Sequence, residues 1–537
     1  THIEYQKEEN ELPQPFEFDK EQPQVSLVCK TSETAIDHVR AELVPEAIGK
    51  NALCHFPMRT VLCIDQNNSG INGTNKGKYV AMGNASPAFM YNCKNVGAKY
   101  NNYVSNLKWG KLDDETEDQI RCFIESIFLL IRNKVIQEGG SISRTRIVWF
   151  YPLSMSRNKY SLFAQVWNDA YKKYFDKDTE PVAITESIAP YSFFQRTKAS
   201  IVDVVTIDIG GGTTDIVVAD GDGVKLITSM RFAADSIFGT TLVQTKTSDL
   251  NGIIKQFKPI YLKKLREYDD LKKMLEDKTA EGFGRSTEVA SFLFSLSDNE
   301  VVKNANASKD LDFNSILMKD SSQKIVFYIF YTAIIYHLAK LMKAKELPYP
   351  KNIAFSGNGS KVISVLTPDT LSLEKLTRKI FEDIYDEDSV KIQLVLNSKN
   401  PKEATCKGGL FLKEQQGDVL DSKAILLGKD GCTLAEEISY DKVKDEFENV
   451  KQEVGAFFDK VLREIPQDGL NLRDLFSIDG EYVDLALQVM NASDRISFIE
   501  KGIKIKKDAG EIAGNMVVEE SLFFYPIVGI INQLSEK

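Results

Sequence analysis

At 537 residues the chain is too long for a single core, and its length implies about two to four domains. Its 43% hydrophobic and 27% charged residues give the balance of an ordinary folded protein, and a net charge of −10 argues against a nucleic-acid-binding surface. Seven cysteines with no C-x-x-C pair, and four histidines none of which stands at zinc spacing from a cysteine, point away from a disulfide framework and from a structural metal site.

Residues 1–23 are polar and carry Pro13, Pro15 and Pro23, which predicts a poorly ordered lead or a loop. No secretory signal opens the chain, so the expectation is a cytoplasmic protein with no membrane contact. Residues 25–29 and 60–64 read as strands, and the Asn- and Gly-rich stretch 67–77 as a loop. In 120–136, Ile120, Phe123, Ile124, Ile127, Phe128, Ile131 and Val135 recur at helical spacing. Residues 147–151 run apolar into Pro152 as a buried strand does, and 159–176 follow as an amphipathic helix with one apolar stripe.

Short strands are predicted at 182–184, 201–209 and 214–219, with Asp220-Gly221-Asp222-Gly223 turning the chain into a returning strand at 224–228. Residues 250–278 read as charged and helical, 290–296 as apolar, and 325–342 as a buried helix whose uninterrupted apolar run is short of a membrane span. A strand at 352–355, a helix at 373–385 and a strand at 391–396 follow, then helices at 440–465 and 519–534. Helices alternating with buried strands make an α/β pattern.

The strongest chemical signal is Asp208-Ile209-Gly210-Gly211-Gly212-Thr213-Thr214-Asp215, set between two apolar strands. Three glycines let the backbone come close to a ligand and reach positive φ, so their amides can cradle phosphate oxygens. Thr213 and Thr214 add hydroxyls, and Asp208 ends the incoming strand where a carboxylate holds a magnesium ion through water. A plain glycine-rich turn needs only one or two glycines. Ser356-Gly357-Asn358-Gly359-Ser360-Lys361 follows a strand and precedes a helix, so its backbone amides suit a nucleotide; the alternative is a plain strand-to-helix loop.

The triple-glycine string resembles the second phosphate-binding motif of the actin, 70-kDa heat-shock chaperone and sugar-kinase superfamily, and the surrounding segments are similar to the chaperone branch in the same order. Thr185-Glu186-Ser187-Ile188-Ala189-Pro190 looks like a connecting segment, Phe238-Gly239-Thr240-Thr241 like a Gly-containing turn before a helix, and 353–361 like the adenosine motif. Ala404-Thr405-Cys406-Lys407-Gly408-Gly409-Leu410 looks like the second connecting motif.

The resemblance, over about 78–412, implies a two-lobed actin-like ATPase fold of duplicated ribonuclease-H-like domains. Residues 1–190 would form the first lobe, 191–412 the second with a helical insertion near 245–345, and 413–537 a helical C-terminal extension. It implies ATP or ADP with Mg2+ in an interlobe cleft. Asp208 and Glu186 would be catalytic, Asp208 holding the metal through water, and Gly210 to Asp215, Gly239, Thr240 and Gly357 to Lys361 would bind nucleotide. For Glu186 the alternative is a helix-start carboxylate favoured by the macrodipole. Lys263, Lys264 and Arg266 either sandwich the adenine or form a solvated face.

The family's first phosphate loop has two readings. Residues 61–70 offer a strand and Asp65 but Gln66-Asn67 in place of Gly-Thr. Alternatively, 79–85 and 104–110 resemble later chaperone segments, which puts that loop before Thr1 or makes it lost, and sets Pro87 where chaperones carry a lysine important for hydrolysis. The expected function is therefore a nucleotide-dependent, chaperone-like switch that hydrolyses ATP slowly and signals to a protein partner. Alternatives are a non-hydrolysing nucleotide-binding scaffold and a small-molecule kinase.

Overall fold

The computed structural model describes residues 1–8, 11–18, 49, 56, 60, 62–64, 79–81, 102–104, 107–197, 203–240, 242, 250–280, 286–396, 402–412 and 438–537. The predicted strand at 25–29, the loop at 67–77 and Pro87 lie outside them, as does most of the 61–70 candidate loop.

The described fold is mixed α/β. Its largest sheet has the order β10-β9-β8-β11-β12, from β8 (Val204–Ile209), β9 (Thr214–Asp220), β10 (Gly223–Met230), β11 (Asn352–Ser356) and β12 (Gln393–Leu396). The strand β8 runs antiparallel to β9 and parallel to β11, so it is central and buried along its whole length. Successive side chains of a strand point to opposite faces. Val204, Val217 and Ala354 thus meet one helix, α3 (Ile188–Thr197), while Val205, Ile207, Ile209 and Phe355 join the main core on the other face.

That main core is built on α8 (Ser321–Ala344), buried along nearly all its length because its apolar residues surround it rather than forming one stripe. Its length and composition are enough to cross a membrane, and 94% of its most apolar window is covered by the rest of the fold. The C-terminal helices α11 (Phe447–Asp459), α12 (Gly480–Ala492), α13 (Arg495–Asp508) and α14 (Phe524–Ser535) share this core. Tyr336 and His337 of α8 meet Phe457 and Phe524 at 5.3 and 4.8 Å between ring centroids.

Ahead of this unit, β6 (Val148–Tyr151) and β7 (Val182–Thr185) form a parallel pair connected through α2 (Arg157–Tyr174). The long helix α1 (Asp114–Gln137) starts at Asp113, whose side chain accepts from the Thr116 amide, and packs Ile120, Ile124 and Phe128 against Val166, Ala170 and Tyr171 of α2. A three-stranded antiparallel sheet places β3 (Leu62–Ile64) between β4 (Tyr79–Ala81) and β5 (Asn102–Val104).

Three expectations need correction. The lead is not structureless: β1 (Glu4–Tyr5) and β2 (Gln14–Pro15) pair antiparallel, with Phe16 and Phe18 buried against Leu130. Proline is tolerated on an edge strand, and two alternate aromatics supply the burial that the polar composition hides. The 250–278 helix is two, α5 (Gly252–Lys264) and α6 (Asp269–Lys278). The helix expected at 440–465 begins only at Phe447, passes through a π turn at Lys460–Glu464 and runs on to Gln467.

Candidate functional site

Strand β8 ends at Asp208 and Ile209, and the loop Gly210–Thr213 closes by a 2.8 Å bond from the Gly210 amide to the Thr213 carbonyl. The amides of Gly211, Gly212 and Thr213 donate to no backbone carbonyl among the described residues. None of the three glycines has positive φ, contrary to the sequence expectation. Their use is the missing side chain: a Cβ on Gly212 would stand 2.8 Å from the Trp109 indole nitrogen, whereas one on Gly211 would meet only the Asp235 carboxylate at 3.6 Å.

The loop opens into a cavity of about 1050 Å3, which Glu186, Asp208, Gly210 to Thr213 and Asp215 all line. The fold therefore brings these predicted residues together. Glu186 lies in the turn between β7 and α3, and its amide is tied to the Tyr151 carbonyl at 2.8 Å. Asp208 and Asp215 face one another across the β8–β9 ladder. Asp208 accepts from the Thr405 hydroxyl at 2.7 Å, and Asp215 from the Ser187 hydroxyl at 3.2 Å. Thr405 belongs to α10 (Glu403–Phe411), which crosses α3 with Gly408 directly on the Ala189 carbonyl.

Other predicted residues sit elsewhere. The Thr214 hydroxyl is buried and donates to the Phe232 carbonyl at 2.6 Å. Gly239 ends α4 (Ala234–Phe238), donates to Asp235 and accepts from Asn251, and neither it nor Thr240 lines the cavity. Gly357, at φ +79°, presses on the Asp208 carboxylate and the Ile209 carbonyl, and Gly359 on the Gly210 carbonyl, so this turn backs the hairpin from behind. The Ser360 hydroxyl donates to Gly357 at 2.7 Å, while Asn358 and Lys361 are exposed.

Two cations that sequence reasoning missed complete the site. Lys108, in the 3-10 turn Leu107–Trp109, pairs with Glu186 at 2.5 Å, and Lys402 lines the same cavity. Lys108 lies inside the 104–110 stretch that resembles a chaperone segment, and Lys402 lies two residues before 404–410; in neither place does the sequence single out the lysine.

Burial raises Asp208, against the opposing pull of Lys402 and Thr405. Burial, reinforced by the neighbouring Glu186 and Asp208 charges, lifts Asp215 to about 7. Burial also works to raise Glu186, but Lys108 and Lys402 outweigh it and hold that carboxyl below its ordinary value. Amides without a backbone acceptor among the described residues, two lysines, the buried Asp208 and Asp215 and the half-buried Glu186 line one cavity, an arrangement suited to a polyphosphate and a hard cation. No group of three or more His, Cys, Asp or Glu able to hold a metal exists among the described residues. Asp208 fits a magnesium ion that keeps most of its waters.

No protein-family model matches this chain, and no curated protein matches it.

Proposed function

We propose that the chain is a two-lobed, actin-like nucleotide switch that binds ATP or ADP with Mg2+ at the Gly210–Thr213 loop and hydrolyses ATP slowly. The observation that carries this reading is the loop itself: three amides without backbone partners among the described residues open into a cavity that also holds Asp208, Glu186, Lys108 and Lys402. Gly211, Gly212 and Thr213 hold the terminal phosphates. Lys108 and Lys402 offset their charge, and Glu186 accepts a hydrogen bond from the attacking water and orients it. A bound magnesium ion would be held by Asp208 through water and would neutralise charge on the phosphates. Glu186 precedes α3 and Thr405 rides on α10, so both crossing helices touch the site and transmit its state to a protein partner.

Calorimetric titration with ATP, ADP and GTP, with and without Mg2+, tests this. The expected result is binding of ATP and ADP, tightened by Mg2+ for ATP. Absence of heat with every nucleotide overturns the reading.

The Lys108–Glu186 pair favours a second reading, a non-hydrolysing scaffold, because a carboxylate engaged by an ammonium is a poorer water positioner. Single-turnover hydrolysis that Glu186→Gln abolishes excludes the scaffold. Binding without turnover selects it.

A further inference from the structure

The cavity is larger than the candidate site, and its other end is walled by two strand edges. In the β6–β7 ladder the Val182 amide donates to the Ile147 carbonyl and the Glu186 amide to the Tyr151 carbonyl. In a parallel pair, alternate residues turn their backbone groups to opposite sides. Val148 and Phe150 therefore direct theirs away from β7, and both residues line the cavity. Across it, the Phe16 amide donates to Ile3, so Glu4 of β1 turns its backbone groups away from β2 and towards the same space. Val148, Phe150 and Glu4 have no backbone partner on that side among the described residues. All three residues are half-buried, and an unpaired strand edge of this kind is a template for another strand. The Glu4 side chain is 2% exposed, and its Oε2 has no partner either.

The chain's own larger sheet displays how such edges are satisfied. There a central strand, β8, lies between an antiparallel hairpin, β9–β10, and a parallel pair, β11–β12. The first part of the chain has the hairpin, β1–β2, and the parallel pair, β6–β7, with the cavity between them. A six-residue strand is about 20 Å long. The cavity reaches from the glycine loop to the β1 and β6 edges. Its lining mixes apolar residues, Ile124, Phe163 and Leu410 among them, with Lys134, Glu138 and Arg144.

We infer that this slot is a strand-docking site. Its occupant is an extended, near-continuously apolar peptide segment of about six residues, added antiparallel to β1 and parallel to β6. Parallel to β6, the segment brings its C-terminal end beside Glu186, so the docked strand also closes one side of the cavity next to the glycine loop.

The probe is a synthetic peptide with the sequence of β8, residues 204–209, flanked by solubilising lysines, added to the full chain. The expected result is a one-to-one complex in native mass spectrometry, with at least tenfold slower hydrogen exchange at the Val148, Phe150 and Glu4 amides. The same peptide N-methylated at alternate residues should lose the complex. No complex, or a complex without protection of those amides, overturns the inference. So does protection of them in the peptide-free chain equal to that of β8, because one of the chain's own segments then fills the slot. No nucleotide enters the measurement, so its outcome is separate from that of the titration.

Discussion

Glu511 accepts from Lys159 at 3.1 Å and from Arg231 at 2.9 Å, and so joins the helix after β6 to the end of β10 through the C-terminal region. The Lys159 side chain is fully buried and that of Glu511 nearly so, at 6% exposure. Glu511→Ala leaves a buried ammonium uncompensated, which should cost about 3–5 kcal/mol in denaturant unfolding. The double variant Lys159→Met/Glu511→Leu should recover most of that loss, because a buried ion pair and its apolar replacement are often close in stability. Equal loss in both variants would remove the pair from this role.

The α3–α10 crossing depends on a missing side chain. A methyl group at Gly408 would overlap the Ala189 carbonyl, which is backbone and has no flexible end to withdraw. Gly408→Ala should therefore destabilise by at least about 1–3 kcal/mol. Gly480→Ala, where no atom lies within 4 Å, is the control and should be neutral or slightly stabilising.

Gly211→Val separates folding from ligand binding. Its side chain begins in ordinary contact distance of Asp235, and the residue is exposed in the loop. The melting temperature without ligand should stay within a few degrees of the parent, while the rise on adding ATP and Mg2+ should vanish. An intact rise would count against the amide cradle.

Asp215 has a definite pH signature. Its native carboxyl titrates near 7 against an ordinary 3.8, mainly through burial and then the Glu186 and Asp208 charges. The native state therefore binds a proton that the unfolded chain releases between these values. The associated stability is complete below the ordinary carboxylate value and is lost as pH rises through 7. Asp215→Asn should flatten melting temperature against pH from 4 to 8 and be the more stable form at pH 8. A parental slope in the variant would assign the dependence elsewhere.

His337 works in the opposite direction. It is fully enclosed in α8, neither ring nitrogen has a partner among the described residues, and burial lowers it from 6.5 to about 3. The unfolded chain takes up a proton that the native state refuses, so stability is complete above 6.5 and declines as pH falls towards 3. His337→Leu should remove that decline, measured by urea unfolding at pH 7.5 and 4.5, and stay within about 1.5 kcal/mol of the parent at the higher pH.

The strands and helices around the glycine hairpin were legible because each has strong local grammar. Val204 to Ile209 is rich in β-branched apolar residues, the Asp-Gly turn fixes the hairpin, and α1 and α2 carry clean helical stripes. The β1–β2 hairpin was missed because two-residue strands have no period to detect, and its burial rests on Phe16 and Phe18 alone. At the site, Asp208, Glu186 and Asp215 could be named because carboxylates beside glycines stand out. Lys108 and Lys402 reach it from segments about 300 residues apart, a proximity that only tertiary structure creates. The same holds for Gly357, whose contact with Asp208 comes from strand order in the sheet.

Trp109 touches Gly212 of the loop and is ringed by Arg231 at 4.3 Å, Lys159 at 5.8 Å and Lys108 at 6.0 Å. The other two tryptophans, Trp149 and Trp167, stack on each other at 5.3 Å beside α1. The molecule thus contains a built-in chromophore whose emission senses the charge and packing around its glycine turn, and events there can be followed optically without attaching a dye.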